Sequence, residues 1–269
     1  MQNYKIVLSY DGTEFSGWQR QPEKRTVQGE LEAALSRIAG KPVNVIGAGR
    51  TDAGVHALGQ AASFKASFRL DDAQLAKALN ANLPETVRVS LLERVPPDWN
   101  ARRKAIAKTY QYRIWTARQV SPFDVRYVLH WPSPLDVAKI RRAARLFVRE
   151  ADFSGFSSNT ERCPVRRVTR SDVRQKGSEL VYTIEGNGFL RYMVRTIVGT
   201  LLEVGRGQLG VEDIERIFAG RKRTLASRTA PAKGLCLLRV VYEPPPGAEP
   251  PLASDKLRPR TRPSSSGFE

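Results

Sequence analysis

Residues 5–10, Lys5-Ile6-Val7-Leu8-Ser9-Tyr10, read as a strand, in which every second residue shares a face. The period then lengthens. Val27, Leu31, Ala34, Leu35 and Ile38 recur at helical spacing behind Thr26, whose hydroxyl suits an N-cap. Residues 43–48 and 60–65 read as two strands on either side of a glycine-rich segment. A short helix is predicted over 75–83, ended near Pro84, and Val87, Val89 and Leu91 alternate as the next strand.

The second half runs in the same order. Residues 109–115 read as a strand in which Tyr110, Tyr112 and Ile114 share a face. A helix over 136–147 places Val137, Ile140, Ala144 and Phe147 on one side. Strands are predicted over 165–174 and 180–185. The helix predicted over 189–204 carries Phe189, Met193, Ile197 and Leu201 at intervals of four, and a short helix over 211–218 precedes a closing strand over Leu235–Tyr242. Each half is strand-helix-strand-strand-helix-strand, the ferredoxin-like order. The expected fold class is α+β. Two such halves, 1–103 and 104–243, would form an extended, mainly antiparallel sheet flanked by helices, with a cleft between them. No repeat is visible in the residues themselves.

From Pro244 the pattern stops. Prolines punctuate a stretch ending in Ser264-Ser265-Ser266-Gly267, and residues 244–269 are expected to be a disordered tail. The tail holds Lys256, Arg258, Arg260 and Arg262 against Glu249, Asp255 and Glu269, a net charge of +1. The whole chain carries +17, from 44 Lys and Arg against 27 Asp and Glu, so +16 belongs to residues 1–243. An excess of that size favours a polyanionic partner, because each neutralised phosphate releases counterions. No apolar run reaches the roughly 18 residues of a spanning helix, and Met1-Gln2-Asn3-Tyr4-Lys5 lacks the shape of a signal peptide. Cys163 and Cys236 stand far apart, and His56 and His130 are the two histidines, so neither a disulfide framework nor a zinc site is suggested. The expectation is a soluble cytoplasmic protein that binds nucleic acid and works without metal.

Candidate chemistry gathers in the glycine-rich segment. Gly47-Ala48-Gly49-Arg50-Thr51-Asp52 begins like a dinucleotide fingerprint but has Asp52 where the third glycine belongs, and a carboxylate there would repel a pyrophosphate. A lone Asp in such a loop is usually a turn or capping residue. Arg50 two positions away, and glycines on both sides that let a ligand approach the backbone, point instead to a site. Arg191 and Arg195, four apart, would share a helical face. Arg195 lies within Tyr192-Met193-Val194 and Ile197-Val198, where a guanidinium wants an anionic partner; Asp52 is a candidate. Tyr110, beside Lys104 and Lys108, fits either core packing or a platform that stacks an unpaired base. Arg102, Arg103, Lys104 and Lys108, with Arg141, Arg142, Arg145 and Arg149, fit a surface that tracks phosphates.

Taken together these motifs resemble the tRNA pseudouridine synthase A family. The resemblance is carried by Tyr10-Asp11-Gly12, Phe15-Ser16-Gly17-Trp18-Gln19, Thr26-Val27-Gln28 and the run Gly47 to Ala57 that contains Gly49-Arg50-Thr51-Asp52-Ala53-Gly54-Val55-His56. Ala101-Arg102, Lys108-Thr109-Tyr110-Gln111-Tyr112, Asp152-Phe153-Ser154, Gly188-Phe189-Leu190, Met193-Val194-Arg195 and Ala230-Pro231-Ala232-Lys233-Gly234-Leu235 follow in the family's order. The chain departs from it at Trp99-Asn100, where many members have Phe-His, and at Gly155, where a serine is frequent. The resemblance implies isomerisation of uridine to pseudouridine at positions 38, 39 and 40 of the tRNA anticodon stem-loop, by a homodimer without cofactor. It also implies that Asp52 is catalytic, that Tyr110 and Arg195 contact the substrate or its site, and that Arg50 takes part in flipping the nucleotide. Two alternatives keep the scaffold: a non-catalytic RNA-binding protein, and a related synthase acting on another RNA.

Overall fold

Side chains of β1 (Gln2–Tyr10) alternate between the two sheet faces, and Tyr4, Ile6, Leu8 and Tyr10 are buried on one of them. In the computed structural model, which describes residues 1–158 and 163–243, that face is covered by α1 (Val27–Ala39) and α2 (Asp72–Asn82). Thr26 caps α1, its hydroxyl accepting from Gly29 N at 3.3 Å. Asp71 and Gln74 form a reciprocal capping box at the start of α2. The other strands of this half are β2 (Val45–Gly47), β3 (His56–Ala66) and β4 (Val87–Val95).

The second half comprises β5 (Ala105–Trp115), β6 (Leu129–His130), α3 (Val137–Arg145), β7 (Glu150–Asp152), β8 (Val165–Lys176), β9 (Glu179–Gly186), α4 (Met193–Gly205), α5 (Val211–Gly220) and β10 (Leu235–Tyr242). Among the described residues ten strands make one sheet in the order β4-β1-β3-β10-β5-β9-β8-β7, with β2 on β3 and β6 on β5. In the first half β4-β1-β3-β2, and in the second β10-β5-β9-β8, each places the first and third strands at the centre, as the ferredoxin-like order requires. The two meet where β10 runs parallel to β3, pairing Cys236 with His56 and Leu237 with Ala57. Apart from that seam and the β5–β6 pair, neighbouring strands are antiparallel. The fold is α+β, as the pattern predicts.

Several boundaries differ from expectation, β5 starting four residues early and β6 and β7 standing where no strand is predicted, and three of the differences bear on the site. The strand predicted over 43–48 shrinks to β2, three residues long. The strand predicted over 60–65 begins earlier, at His56, and carries the chain straight out of the glycine-rich loop. The helix predicted from residue 189 starts at Met193, because Tyr192 adopts left-handed φ of +62°. Phe189 and Leu190 pack on the core from an irregular segment, so their spacing mimics a helix without forming one. Arg191 consequently lies outside the helix and shares no helical face with Arg195. The expected tail, 244–269, lies outside the described residues. Among those described, no helix is long and apolar enough to cross a membrane.

Candidate active site

The loop between β2 and β3 carries Arg50 and Asp52, and its turn is closed by backbone alone. Val55 N donates to the Asp52 carbonyl at 3.2 Å, and Gly54 at φ +77° supplies the left-handed residue of a type II turn. Residues 12–18 buttress this loop. Trp18 N donates to Thr51 O at 3.0 Å, Gly54 N to Phe15 O at 3.3 Å, and Tyr10 Oη pairs with Thr51 Oγ1 at 2.8 Å. The approach is so close at Gly17 that a Cβ there would stand 2.7 Å from the Thr51 carbonyl oxygen. With the turn held by main chain, the Asp52 carboxylate is left for other work.

That carboxylate accepts a hydrogen bond on Oδ2 from Arg195 Nη1 at 3.0 Å. Arg195 is the third residue of α4, and its guanidinium is fixed on two further sides. Nε donates to Ala230 O at 2.7 Å, and the group lies 5.1 Å from the Tyr192 ring centroid. The side chains of Arg195 and Asp52 are 15% and 26% exposed, so the pair is sheltered yet open to one side. Burial pushes the Asp52 carboxyl above its ordinary range, outweighing the hydrogen bond and charge of Arg195 and the charge of Arg191. Arg195 does favour the ionised form, as its sequence surroundings suggest, but the low-dielectric setting prevails in the net direction.

Asp52 and Arg195 open into a cleft of about 850 Å³ that is also lined by Arg50 and Tyr110. Tyr110 is 7% exposed, its ring edge-on to Phe189 with centroids 5.3 Å apart. It is thus packed in the core, one of the two readings its sequence leaves open, and also lines the cleft. Its hydroxyl, which makes no hydrogen bond among the described residues, is raised by burial well above the tyrosine range. Arg50 lies at the rim, where its Nε donates to Gln19 Oε1 at 3.0 Å. Arg191 reaches the same cleft from the segment before α4, its guanidinium 4.9 Å from the Tyr192 ring centroid.

Several residues have a place in or behind the site that their spacing alone does not show. Phe189 and Tyr192 shape the cleft from outside any regular element. His56 accepts from Gly12 N on Nδ1 at 3.1 Å and stands 3.2 Å from Asp11 Oδ1, while Tyr127 Oη donates to Asp11 Oδ2 at 2.8 Å. This cluster ties the end of β1 to the start of β3 just behind the loop. The basic face of α3 and the residues after it are partly consumed internally: Arg149 binds Glu215 at 2.6 Å and stacks on Phe218, and Arg141 Nε donates to Val173 O at 3.2 Å. No group of three or more His, Cys, Asp or Glu gathers as a metal site would among the described residues.

A sheltered carboxylate gripped by arginine, an aromatic wall and a basic rim suit a reaction on one nucleotide of a polyanion. The family model for tRNA pseudouridine synthase matches residues 6–102 and 143–243. The chain belongs to that family. Among curated relatives, tRNA pseudouridine synthase A of Methylacidiphilum infernorum is 45% identical over 90% of this chain and 96% of its own length. The synthases of Limosilactobacillus fermentum and Geobacillus kaustophilus are 42% and 44% identical, covering 93% and 90% of this chain and 99% and 95% of their own. A tRNA pseudouridine synthase is an isomerase, and tRNA is a polyanion of the kind that the net charge anticipates.

Proposed function

We propose that this tRNA pseudouridine synthase acts on uridines at positions 38, 39 and 40 of the anticodon stem-loop, with Asp52 as the catalytic carboxylate. The observation that carries the assignment is the Asp52–Arg195 pair, sheltered at 3.0 Å within the cleft. Isomerisation breaks the bond from N1 to the anomeric carbon, turns the uracil and joins C5 to that carbon; C5 loses a proton and N1 gains one. A carboxylate serves the first step either by attacking the anomeric carbon or by removing the neighbouring C2′ proton, much as carboxylates assist glycosidic cleavage. Arg195 favours the ionised form of Asp52 against its burial and keeps the carboxylate oriented until the sugar arrives. The target base is out of reach within a paired stem, so the nucleotide is flipped into the cleft. Arg50 at the rim fills the vacated place or steers the strand, and Tyr110 lies against the freed uracil as it turns.

Tritium release from tRNA carrying 5-tritiated uridine tests this reading. Asp52→Ala should lose activity by more than about a thousandfold while still binding tRNA. Undiminished release would remove Asp52 from the chemistry. Tight binding without release by the wild-type chain on several tRNAs would favour the non-catalytic RNA-binding reading. The resemblance also supports a homodimer, tested by sedimentation at twice the 30.1 kDa of one chain.

A further inference from the structure

Lys108 stands two residues before Tyr110 on β5, so both side chains leave the same face of the strand and line the same cleft. Its ammonium lies against the catalytic loop. A Cβ on Gly49 would stand 3.2 Å from Lys108 Nζ, so any larger residue at 49 would crowd the amine. Among the described residues the Lys108 side chain makes no hydrogen bond and no ion pair. The charged groups that bear on it are Arg102 and Arg166, both cationic. A sheltered ammonium beside the Arg102 guanidinium, with no carboxylate in contact with it among the described residues, is unfavourable unless an anion comes from outside. Burial and the two arginines accordingly pull Lys108 down to about 8.

We propose that Lys108 and Arg102 form the seat of an RNA backbone phosphate beside the uridine held at Asp52. Arg102 and Arg50 line both the cleft and an adjoining hollow of about 380 Å³, so the seat lies where the strand passes from one to the other. A phosphodiester oxygen over Gly49 completes the hydrogen bonds that Lys108 lacks and neutralises the local excess of positive charge. The proposal rests on the reading of the cleft as the uridine site. It adds a binding residue and leaves the chemistry of Asp52 unchanged. It also makes tRNA binding coupled to protonation. Lys108 is charged below its folded pKa, so the seat is present at pH 6.5 and lost as pH rises through about 8; phosphate binding then takes up a proton.

Affinity for an unmodified tRNA transcript, measured by fluorescence anisotropy at pH 6.5 and 9.0 over a salt series, tests this alongside kcat and KM from tritium release. The wild type should bind about tenfold more weakly at pH 9.0 than at pH 6.5. Lys108→Met should bind about tenfold more weakly at pH 6.5, lose most of the pH dependence, and show a salt slope shallower by about one phosphate. Lys108→Arg should keep wild-type affinity at pH 6.5 and hold it at pH 9.0, because a guanidinium stays charged. If the methionine variant lost its fold, the pH profile of Lys108→Arg against wild type would decide the matter alone. Unchanged affinity and salt slope in Lys108→Met, with kcat lost and not restored by arginine, would overturn the phosphate seat in favour of a proton-transfer role. Failure of the uridine-site reading looks different: wild-type protein binds tRNA with this pH dependence yet releases no tritium.

Discussion

At Asp52, burial raises the carboxyl and Arg195 lowers it, and burial prevails. The sign has two consequences. The ionised form that the proposed chemistry requires is lost on acidification at a higher pH than for an exposed aspartate, whose ordinary value is about 3.9. The acidic limb of kcat against pH should therefore fall with an apparent pKa above that value; a limb at or below it would contradict the direction. For stability, a carboxyl raised in the folded state favours folding below its unfolded pKa, and that contribution is lost as pH rises through the folded pKa. At pH 7 the buried charge is thus a cost, and Asp52→Asn should abolish tritium release with a Tm no lower than wild type. A drop of several degrees would mean that the ion pair holds the loop together. Arg195→Met should reduce kcat by roughly a hundredfold with little change in tRNA affinity, because the guanidinium is committed to Asp52 and Ala230 O. An equal loss confined to affinity would place Arg195 on the RNA backbone instead. Among single residues, the need of Arg195 for an anion is legible in its apolar neighbours. Asp52 can be named there only as a candidate for that anion, because 143 residues separate the partners and their distance is set by the tertiary fold.

Elements divide into those that keep the fold and those that aim the site. Thr26 belongs to the first kind. Its hydroxyl satisfies Gly29 N at the start of α1, so Thr26→Ala should cost about 1 kcal/mol in denaturant unfolding and leave kcat unchanged. Residues 12–18 belong to the second. Gly17→Ala places a methyl 2.7 Å from Thr51 O on a residue already at φ +94°, and the Asp52 loop must move to admit it. We expect a loss of about 1–3 kcal/mol together with a fall in kcat. A Tm loss with kcat intact would show that the loop keeps its aim without this buttress. The contrast follows what sequence can carry. Helix periodicity and an N-cap are local, so α1 is legible from Thr26 onward. The start of α4 is not, because Phe189 and Leu190 bury themselves on the same core that the helix covers, and apolar spacing cannot register the left-handed turn at Tyr192. Lys108 is likewise legible as one of a basic cluster just before the predicted strand, but not as a sheltered strand residue, since its burial is imposed by the Gly49 loop, distant in sequence.

Across the whole molecule, the order of elements discloses two halves, and the parallel seam between β3 and β10 joins them in one continuous sheet. The seam matters to function because Asp52 precedes β3, whereas Tyr110 and Arg195 belong to the other half. Charge acts on the same scale. Of the net +17, residues 1–243 carry +16 and residues 244–269 carry +1, so electrostatic attraction for tRNA resides in residues 1–243. If a handful of phosphates is neutralised, affinity should fall about thirty- to a hundredfold between 50 and 200 mM salt. Deleting residues 244–269 removes four basic and three acidic residues, and the slope of log affinity against log salt should then change by less than the contribution of about one phosphate. A markedly shallower slope in the truncated protein would mean that the tail's Lys256, Arg258, Arg260 and Arg262 bind RNA while its carboxylates stay clear. The phosphate contacts would then extend beyond the cleft. An unchanged slope in the truncated protein, with a shallower one in Lys108→Met, would place the counterion release at the cleft itself, where the cations converge on the strand that Asp52 must reach.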